Sequence, residues 1–284
     1  MTEEQQWVTE KWQDVETRYK IQSVLYEDNS EFQHTQIVDS IRYGRMLLLD
    51  GIVQTTEKDE FIYHEMLVHV PMLAHPYPEK VLIIGGGDGG ILREVLKYKS
   101  VTTATMVEID PGVIELSRKY LPSINKGAFE DSRANIIISD GAAFVKETTD
   151  KFDVVIVDSC DPVGPATVLF SRAFYGDINN LLTEDGIMVC QTGSLHMQPA
   201  EQVETYGLLS GIYGYASPYV FTVPTYIGGL FSAMFCSDNI DPDKNDFDLI
   251  KEKAAINNLK TWYYNPGIHI GAFYVPGFLK ERLT

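Results

Sequence analysis

Apolar and polar positions alternate in short runs at the start of the chain and change period further on, so the sequence falls into two unlike parts. Between residues 19 and 56, the runs 20–26, 32–38 and 45–54 have the length and alternation of strands, and Asp50-Gly51 interrupts the last of them. An Asp-Gly pair between apolar runs is a strong hairpin signal. These features predict a small antiparallel β domain. From Lys58 onward, Phe61, Ile62, Met66 and Val70 recur at helical spacing, and Pro71 followed by Pro76 and Pro78 predicts the end of that helix. The boundary is placed there, dividing the chain into 1–60 and 61–284.

Beyond the prolines, strand-like runs at 80–84, 103–107, 135–138 and 152–157 alternate with helical stretches that open at Gly90, Pro111 and Gly141. Such alternation predicts βαβ units. The expected fold class is α/β: a doubly wound, Rossmann-like sheet of the class I methyltransferase type, preceded by the antiparallel β domain. Three further strands are expected at 186–191, 219–223 and 230–236, the last two antiparallel because Pro224 and Gly228-Gly229 separate them.

Composition narrows the function. The chain has 284 residues, 44% of them hydrophobic, enough for one sizeable α/β domain and a smaller module. It contains no run of about 18 apolar residues of the kind that spans a bilayer. The opening MTEEQQWVTEKWQ lacks the basic and apolar regions of a secretory signal, so a cytoplasmic protein with no membrane association is expected. A net charge of -17 argues against a nucleic-acid partner, whose phosphates need a basic footprint. It is compatible with a cationic ligand, but net charge alone favours the simpler account, acids that keep a surface soluble. Cys160, Cys190 and Cys236 are odd in number and widely spaced, which reads as core thiols rather than a disulfide framework or zinc cluster.

The most informative segment is Gly85-Gly86-Gly87-Asp88-Gly89-Gly90. It follows an apolar strand and opens a helix, the setting in which a glycine-rich turn receives a nucleotide. A dinucleotide would set its pyrophosphate on the helix N-terminus, where the Asp88 carboxylate would repel it. An adenosyl sulfonium brings positive charge instead, and Asp88 favours that choice. The next strand ends in Glu108-Ile109-Asp110, at the spacing from the turn where an acid hydrogen-bonds ribose hydroxyls. That role falls to Glu108, with Asp110 capping the helix led by Pro111. The following strands run into Asp140-Gly141 and into Asp158 and Asp161. Any one of these acids is more simply a helix cap. Together, on four successive strand ends, Asp88, Glu108, Asp140, Asp158 and Asp161 predict an acidic crevice for an adenosyl ligand with cationic chemistry. His64 and His69 flank Glu65 but stand roughly 140° apart on a helix, unlike the one-face pair of a zinc site, so no metal is expected.

At these residues the chain resembles the spermidine synthase (polyamine aminopropyltransferase) family. The segments LLLDGIVQTTEKDEFIYHEM, VLIIGGGDGGILREVLKY, DSCDPVGPA, VPTYIGG and YYNPGIHIGAF carry the resemblance in order over nearly the whole chain. The resemblance implies transfer of the aminopropyl group of decarboxylated S-adenosylmethionine, a co-substrate rather than a prosthetic group, to a diamine, usually putrescine, giving spermidine and 5′-methylthioadenosine. By position, it makes Asp158 the proton acceptor, with Tyr63 and Asp161 beside it, and sets the donor's ammonium between Asp88 and Asp158. It assigns the ribose to Gln33 and Glu108 and the adenine to Ile109, Asp140 and Gly141, with Gly85 and Gly87 in the turn and Pro165 and Ala166 in a loop over the base. It directs Gln191, Tyr226 and His64 toward the amine acceptor, and it implies a homodimer or homotetramer assembled through the N-terminal domain.

The segment 191–196 departs from members that carry an acid and a tryptophan there, which leaves cadaverine, agmatine or a longer polyamine as alternative acceptors. His196, Trp7 and Trp12 are further candidates for the acceptor pocket. Rival readings are an S-adenosylmethionine-dependent amine N-methyltransferase of the same fold, against which Asp88 weighs, and a non-catalytic polyamine-binding subunit, against which the presence of Asp158, Tyr63 and Asp161 weighs.

Overall fold

A computed structural model describes residues 6–159 and 168–283. Five antiparallel strands, β1 (Gln6–Trp12), β2 (Val15–Asn29), β3 (His34–Ser40), β4 (Gly44–Leu49) and β5 (Ile52–Thr56), form the first sheet in chain order. Asp50 and Gly51, with φ of 50° and 80°, make the expected two-residue hairpin turn. Strand β1 was not foreseen, because its alternation is concealed: the two inward positions are Val8 and Glu10, and a glutamate there reads as surface. The Glu10 carboxylate accepts a hydrogen bond from Val53 N at 3.0 Å, which ties the first strand of the sheet to the last.

Helix α1 (Glu60–Ala74) continues through Pro71, where the sequence predicts a stop. The proline removes the partner of the Leu67 carbonyl, an interruption that costs roughly 3 kcal/mol in an isolated helix. Here tertiary burial outweighs it: Met66, Leu67, Val68, Val70, Met72 and Leu73 are all essentially inaccessible.

The second sheet contains β6 (Lys80–Gly85), β7 (Thr103–Glu108), β8 (Ala134–Ile138), β9 (Phe152–Asp158), β10 (Leu182–Ser194), β11 (Tyr215–Thr222) and β12 (Leu230–Ser237). Their order is β11-β12-β10-β9-β6-β7-β8. Strands β6 to β10 are parallel, whereas β12 runs antiparallel to both neighbours, β10 and β11. Pro218 is tolerated within β11 because that strand lies at the sheet edge. The connecting helices are α2 (Gly90–Val95), α3 (Pro111–Tyr120), α4 (Pro122–Asn125), α5 (Gly141–Glu147) and α6 (Arg172–Leu181). Four more, α7 (Pro199–Ser210), α8 (Phe247–Ile256), α9 (Pro266–Ala272) and α10 (Gly277–Leu283), lie in stretches where no helix was foreseen. Alternate residues of each central strand feed opposite cores. Val81 and Ile83 join α1 and α2 on one face, while Leu82 and Ile84 join α5 and α6 on the other.

The strand order reverses between β6 and β9, and in such sheets the ligand crevice opens beyond the carboxyl ends of the two strands at that point. Gly85 ends β6 and pairs with Asp158 at the end of β9. A Cβ on Gly85 would lie 2.1 Å from the Asp158 carbonyl oxygen, at a φ of +82°. Gly51 has the same handedness and nothing within 4 Å of a Cβ. Gly51→Ala is therefore expected to cost only the conformational penalty, about 1–2 kcal/mol. Gly85→Ala should cost at least about 3 kcal/mol, because the backbone of two strands must part. Urea denaturation of both variants gives the comparison, and equal losses would contradict it.

Candidate active site

Two cavities occupy the crevice, of about 580 Å³ and about 170 Å³. They adjoin along Glu108, Ile109 and Asp158, with Trp12 of β1 and Gln33 of the β2–β3 connection lining both. Gly85, Asp140 and Gly141 line the larger cavity. Gly87, Tyr63, His64, Asp88, Gln191 and Tyr226 line the smaller. Most of the sequence-derived candidates thus converge on one cleft; Trp7 and His196 do not line it, and Asp161, Pro165 and Ala166 lie outside the described residues.

Each glycine of the turn admits a particular neighbour. On Gly87, a Cβ would stand 2.9 Å from the Glu108 carboxylate. On Gly90, it would fall 2.2 Å from Cε1 of His64, so that ring lies directly against the start of α2. The turn's glycines therefore serve the packing of acids and a histidine as well as the approach of a ligand.

The acids differ sharply in their surroundings. Asp140 caps α5, accepting hydrogen bonds from Ala142 N at 2.7 Å and Ala143 N at 3.2 Å, as Asp110 caps α3. Its capping and cavity-lining positions coexist. Glu108 is buried, and burial, reinforced by the nearby Asp110 and Asp158 charges, pushes its pKa up to about 7 despite bonds from backbone amides, including Asp110 N at 2.9 Å. Asp158 is likewise desolvated and faces the Asp88 charge, which together raise it to about 6. The Tyr63 hydroxyl donates to it at 2.6 Å and moderates that rise. Burial alone would raise Asp88 also, but the His64 imidazolium and the Gly90 amide outweigh it and hold its pKa below the ordinary range. The separation of Asp88 from Asp158 identifies the lasting anion and the group that can exchange a proton near neutral pH.

His64 accounts for that separation. Its Nδ1 lies 2.6 Å from Glu60 and its Nε2 3.2 Å from Asp88. Burial would lower its pKa, yet the two carboxylates raise it to about 10. The sequence treats Asp88 as an unaccompanied negative charge, whereas the structure shows it paired with an imidazolium. Glu108, which is buried, and Asp158, which is half-buried, are the carboxyls of the cleft that titrate near neutral pH.

Gln33 donates to Asp110 at 3.1 Å. Gln191 is oriented at both ends, accepting from Gly193 N at 2.8 Å and donating to the Ser159 carbonyl at 3.2 Å. Tyr226 donates to the Gln54 carbonyl at 2.7 Å, joining the second sheet's hairpin to β5. Of the N-terminal tryptophans, Trp12 faces the cleft, while Trp7 is 44% exposed with Arg18 stacked over it. His196 is exposed and stacks on Phe278 at 5.4 Å, outside the cavity lining. Glu10, Gln54 and Gln198 are among the lining residues that were not foreseen. Gln198 carried a faint signal, since it follows the departing segment 191–196; Glu10 carried none.

Comparison with known proteins agrees with this architecture. The model of the spermine/spermidine synthase domain matches residues 60–248, and that of the spermidine synthase tetramerisation domain matches 6–57. A polyamine aminopropyltransferase of Ruegeria sp. (strain TM1040) is 46% identical over 276 residues, covering 97% of both chains. One from Erwinia tasmaniensis is 44% identical over 94% of this chain and 93% of its own. A spermidine synthase crystallised with the transition-state analogue AdoDATO superposes with a TM-score of 0.94 at 41% identity, covering 98% of this chain and 94% of that one. Spermidine synthase from Thermotoga maritima gives 0.91 at 40% identity over the same shares. The fold and site define a transferase built on a methyltransferase-type sheet. The chain belongs to the spermine/spermidine synthase family and is an aminopropyltransferase.

Tyr63→Phe removes a hydrogen bond that favours the ionised form of Asp158, so the Asp158 pKa should rise above about 6. The acidic limb of the kcat/KM profile is expected to move to higher pH by up to about one unit. An unmoved limb would show that Asp158 does not control it.

Proposed function

We propose that this protein transfers the aminopropyl group of decarboxylated S-adenosylmethionine to putrescine, giving spermidine and 5′-methylthioadenosine. The observation that carries the reading is Asp158: a half-buried carboxyl at the junction of the two cavities, hydrogen-bonded to Tyr63 and raised to about 6 beside a lasting anion, Asp88.

In this reading the adenosyl portion occupies the larger cavity, with its base at Ile109, Asp140 and Gly141 and its ribose at Gln33 and Glu108. The aminopropyl chain reaches into the smaller cavity, its ammonium between Asp88 and Asp158. Putrescine enters as a dication, because alkyl ammonium groups titrate at about 10.4 in water. One ammonium gives a proton to Asp158, and the raised carboxyl pKa narrows the gap across which that proton moves. The freed nitrogen attacks the aminopropyl carbon bound to sulfur. A C–N bond forms, the C–S bond breaks, and its electron pair leaves with sulfur as the neutral thioether. The positive charge passes from sulfur to the new secondary ammonium, so the site needs in-line positioning and a base rather than an oxyanion hole.

Glu10 is the best-placed group for the distal ammonium of the acceptor: a carboxylate that is 1% exposed and lines the smaller cavity. The Trp12 ring beside it offers an apolar wall and a face for cation–π contact. These contributions make residues 1–60 part of the catalytic unit with 61–284. A homodimer or homotetramer is the assembly that the match to the tetramerisation domain supports. Among the described residues no helix is long and apolar enough to cross a membrane.

An acceptor panel of putrescine, cadaverine, agmatine and spermidine with the decarboxylated donor tests the reading. Putrescine should give the highest kcat/KM, and methylthioadenosine the nucleoside product. Asp158→Asn should lower kcat about 10²–10⁴-fold, the usual contribution of a positioned base. Glu10→Gln should raise the KM for putrescine about tenfold or more, with less effect on the donor, since it removes one buried charge contact. Preference for another amine would reassign the acceptor. S-adenosylhomocysteine formed from intact S-adenosylmethionine would replace the reaction itself.

A further inference from the structure

Behind the smaller cavity, charged side chains of alternating sign continue into the core. Asp88 faces His64, His64 faces Glu60, and Glu60 faces Arg93. The Arg93 guanidinium grips both oxygens of Glu60, at 2.8 Å and 2.9 Å, donates to Glu94 at 2.8 Å and to the Ile124 carbonyl at 2.5 Å. Both partners of the fork are 8% exposed. Neither Glu60 nor Arg93 lines either cavity, although His64 and Asp88 both do.

We propose that Glu60 and Arg93 are positioning residues of the transfer reaction: through His64 they hold the Asp88 carboxylate, charged and oriented, at the site of the donor's ammonium. This inference rests on the reading of Asp88 as that ammonium site.

Three observations support it. The fork fixes Glu60 in plane, and a carboxylate so gripped presents its remaining lone pairs in one direction, toward Nδ1 of His64. The His64 ring has no room to turn away, since it is pressed against the backbone of Gly90, with the Tyr63 ring edge-on to it at 5.7 Å. Finally, an ion pair buried to this degree is costly unless each charge has its complement. Removing Glu60 leaves His64 paired with Asp88 and Arg93 with Glu94, each short of the second carboxylate it now has.

The charged groups around His64 come from four elements: Glu60 from its own helix, Asp88 from the glycine turn, Arg93 of α2 behind Glu60, and Asp158 from β9, whose ionisation His64 favours. Glu60 and Asp88 favour the imidazolium, and burial opposes it. Deleting the Glu60 charge moves the balance toward neutral imidazole. Above the lowered midpoint Asp88 faces a neutral imidazole and loses the cation that fixes its orientation, so the effect on the donor site is greatest at alkaline pH.

The test uses the full chain labelled with ¹³C at histidine Cε1, the His64 signal being assigned by its loss in His64→Gln. In the wild type His64 should remain protonated well into the alkaline range, and in Glu60→Gln its midpoint should fall by at least about one unit. The same variant should raise the donor KM about tenfold, with the loss greatest at alkaline pH, and should raise it no further in a His64→Gln background. Arg93→Lys keeps the charge but not the fork; it should show the same displacement at smaller amplitude, and it carries the test if Glu60→Gln does not fold. A wild-type His64 that titrates near 6.5, or Glu60→Gln and Arg93→Lys losses that are uniform in pH and persist without His64, would overturn the proposal. Asp88→Asn with an unchanged donor KM is a separate outcome: it would remove the ammonium-site reading itself while leaving any shift of the His64 midpoint in place.

Discussion

Two largely desolvated carboxylates, Asp88 and Asp158, share one cleft, and such a pair cannot both ionise in a poorly solvated site without compensation. The rest of the site follows from how that constraint is met. Asp88 receives a cation, His64, and an amide, Gly90 N, and so stays charged. Asp158 receives a neutral hydroxyl from Tyr63 and stays close to its titration point. The cleft thus holds one fixed charge and one that adjusts, with Glu108 as a second adjustable acid. The compensation is built largely from helix α1, which supplies Glu60, Tyr63 and His64 on one turn and a half, and this explains why that helix is buried on almost every side.

The two sheets meet around this helix. The second sheet brings Gly85 and Asp158 into register at its reversal point, and only a glycine fits there. The first sheet closes the cleft from the other side with Trp12, Gln33 and Glu10. Glu10 also joins β1 to β5. One carboxylate thus completes the small sheet and lines the smaller cavity.

Much of this was legible in the amino-acid sequence because the signals are local. Asp50-Gly51 specifies a hairpin by backbone conformation, and the turn from Gly85 to Gly90 follows a strand and opens a helix. The strand-end acids announce themselves by position. What stayed hidden depends on tertiary neighbours. Strand β1 was concealed because Glu10 occupies an inward position; the continuation of α1 past Pro71 depends on packing that no propensity records. The charge state of His64 could not be read from a Tyr-His-Glu segment, since one of its two acids lies a helical turn before it and the other on a different element. The expectation of an unaccompanied charge at Asp88 is corrected: His64 pairs with it, and the acids left to titrate near neutral pH are Asp158 and Glu108.

The division of labour between Asp88 and Asp158 is directly measurable by following the side-chain carboxyl carbons of ¹³C-aspartate-labelled protein through a pH titration without ligand, with Asp88→Asn and Asp158→Asn assigning the two signals. Asp158 is expected to titrate at about 6 and Asp88 below the ordinary aspartate range. Two signals that titrate together in the ordinary range, or in the reverse order, would contradict the assignment of one acid as the standing charge and the other as the base.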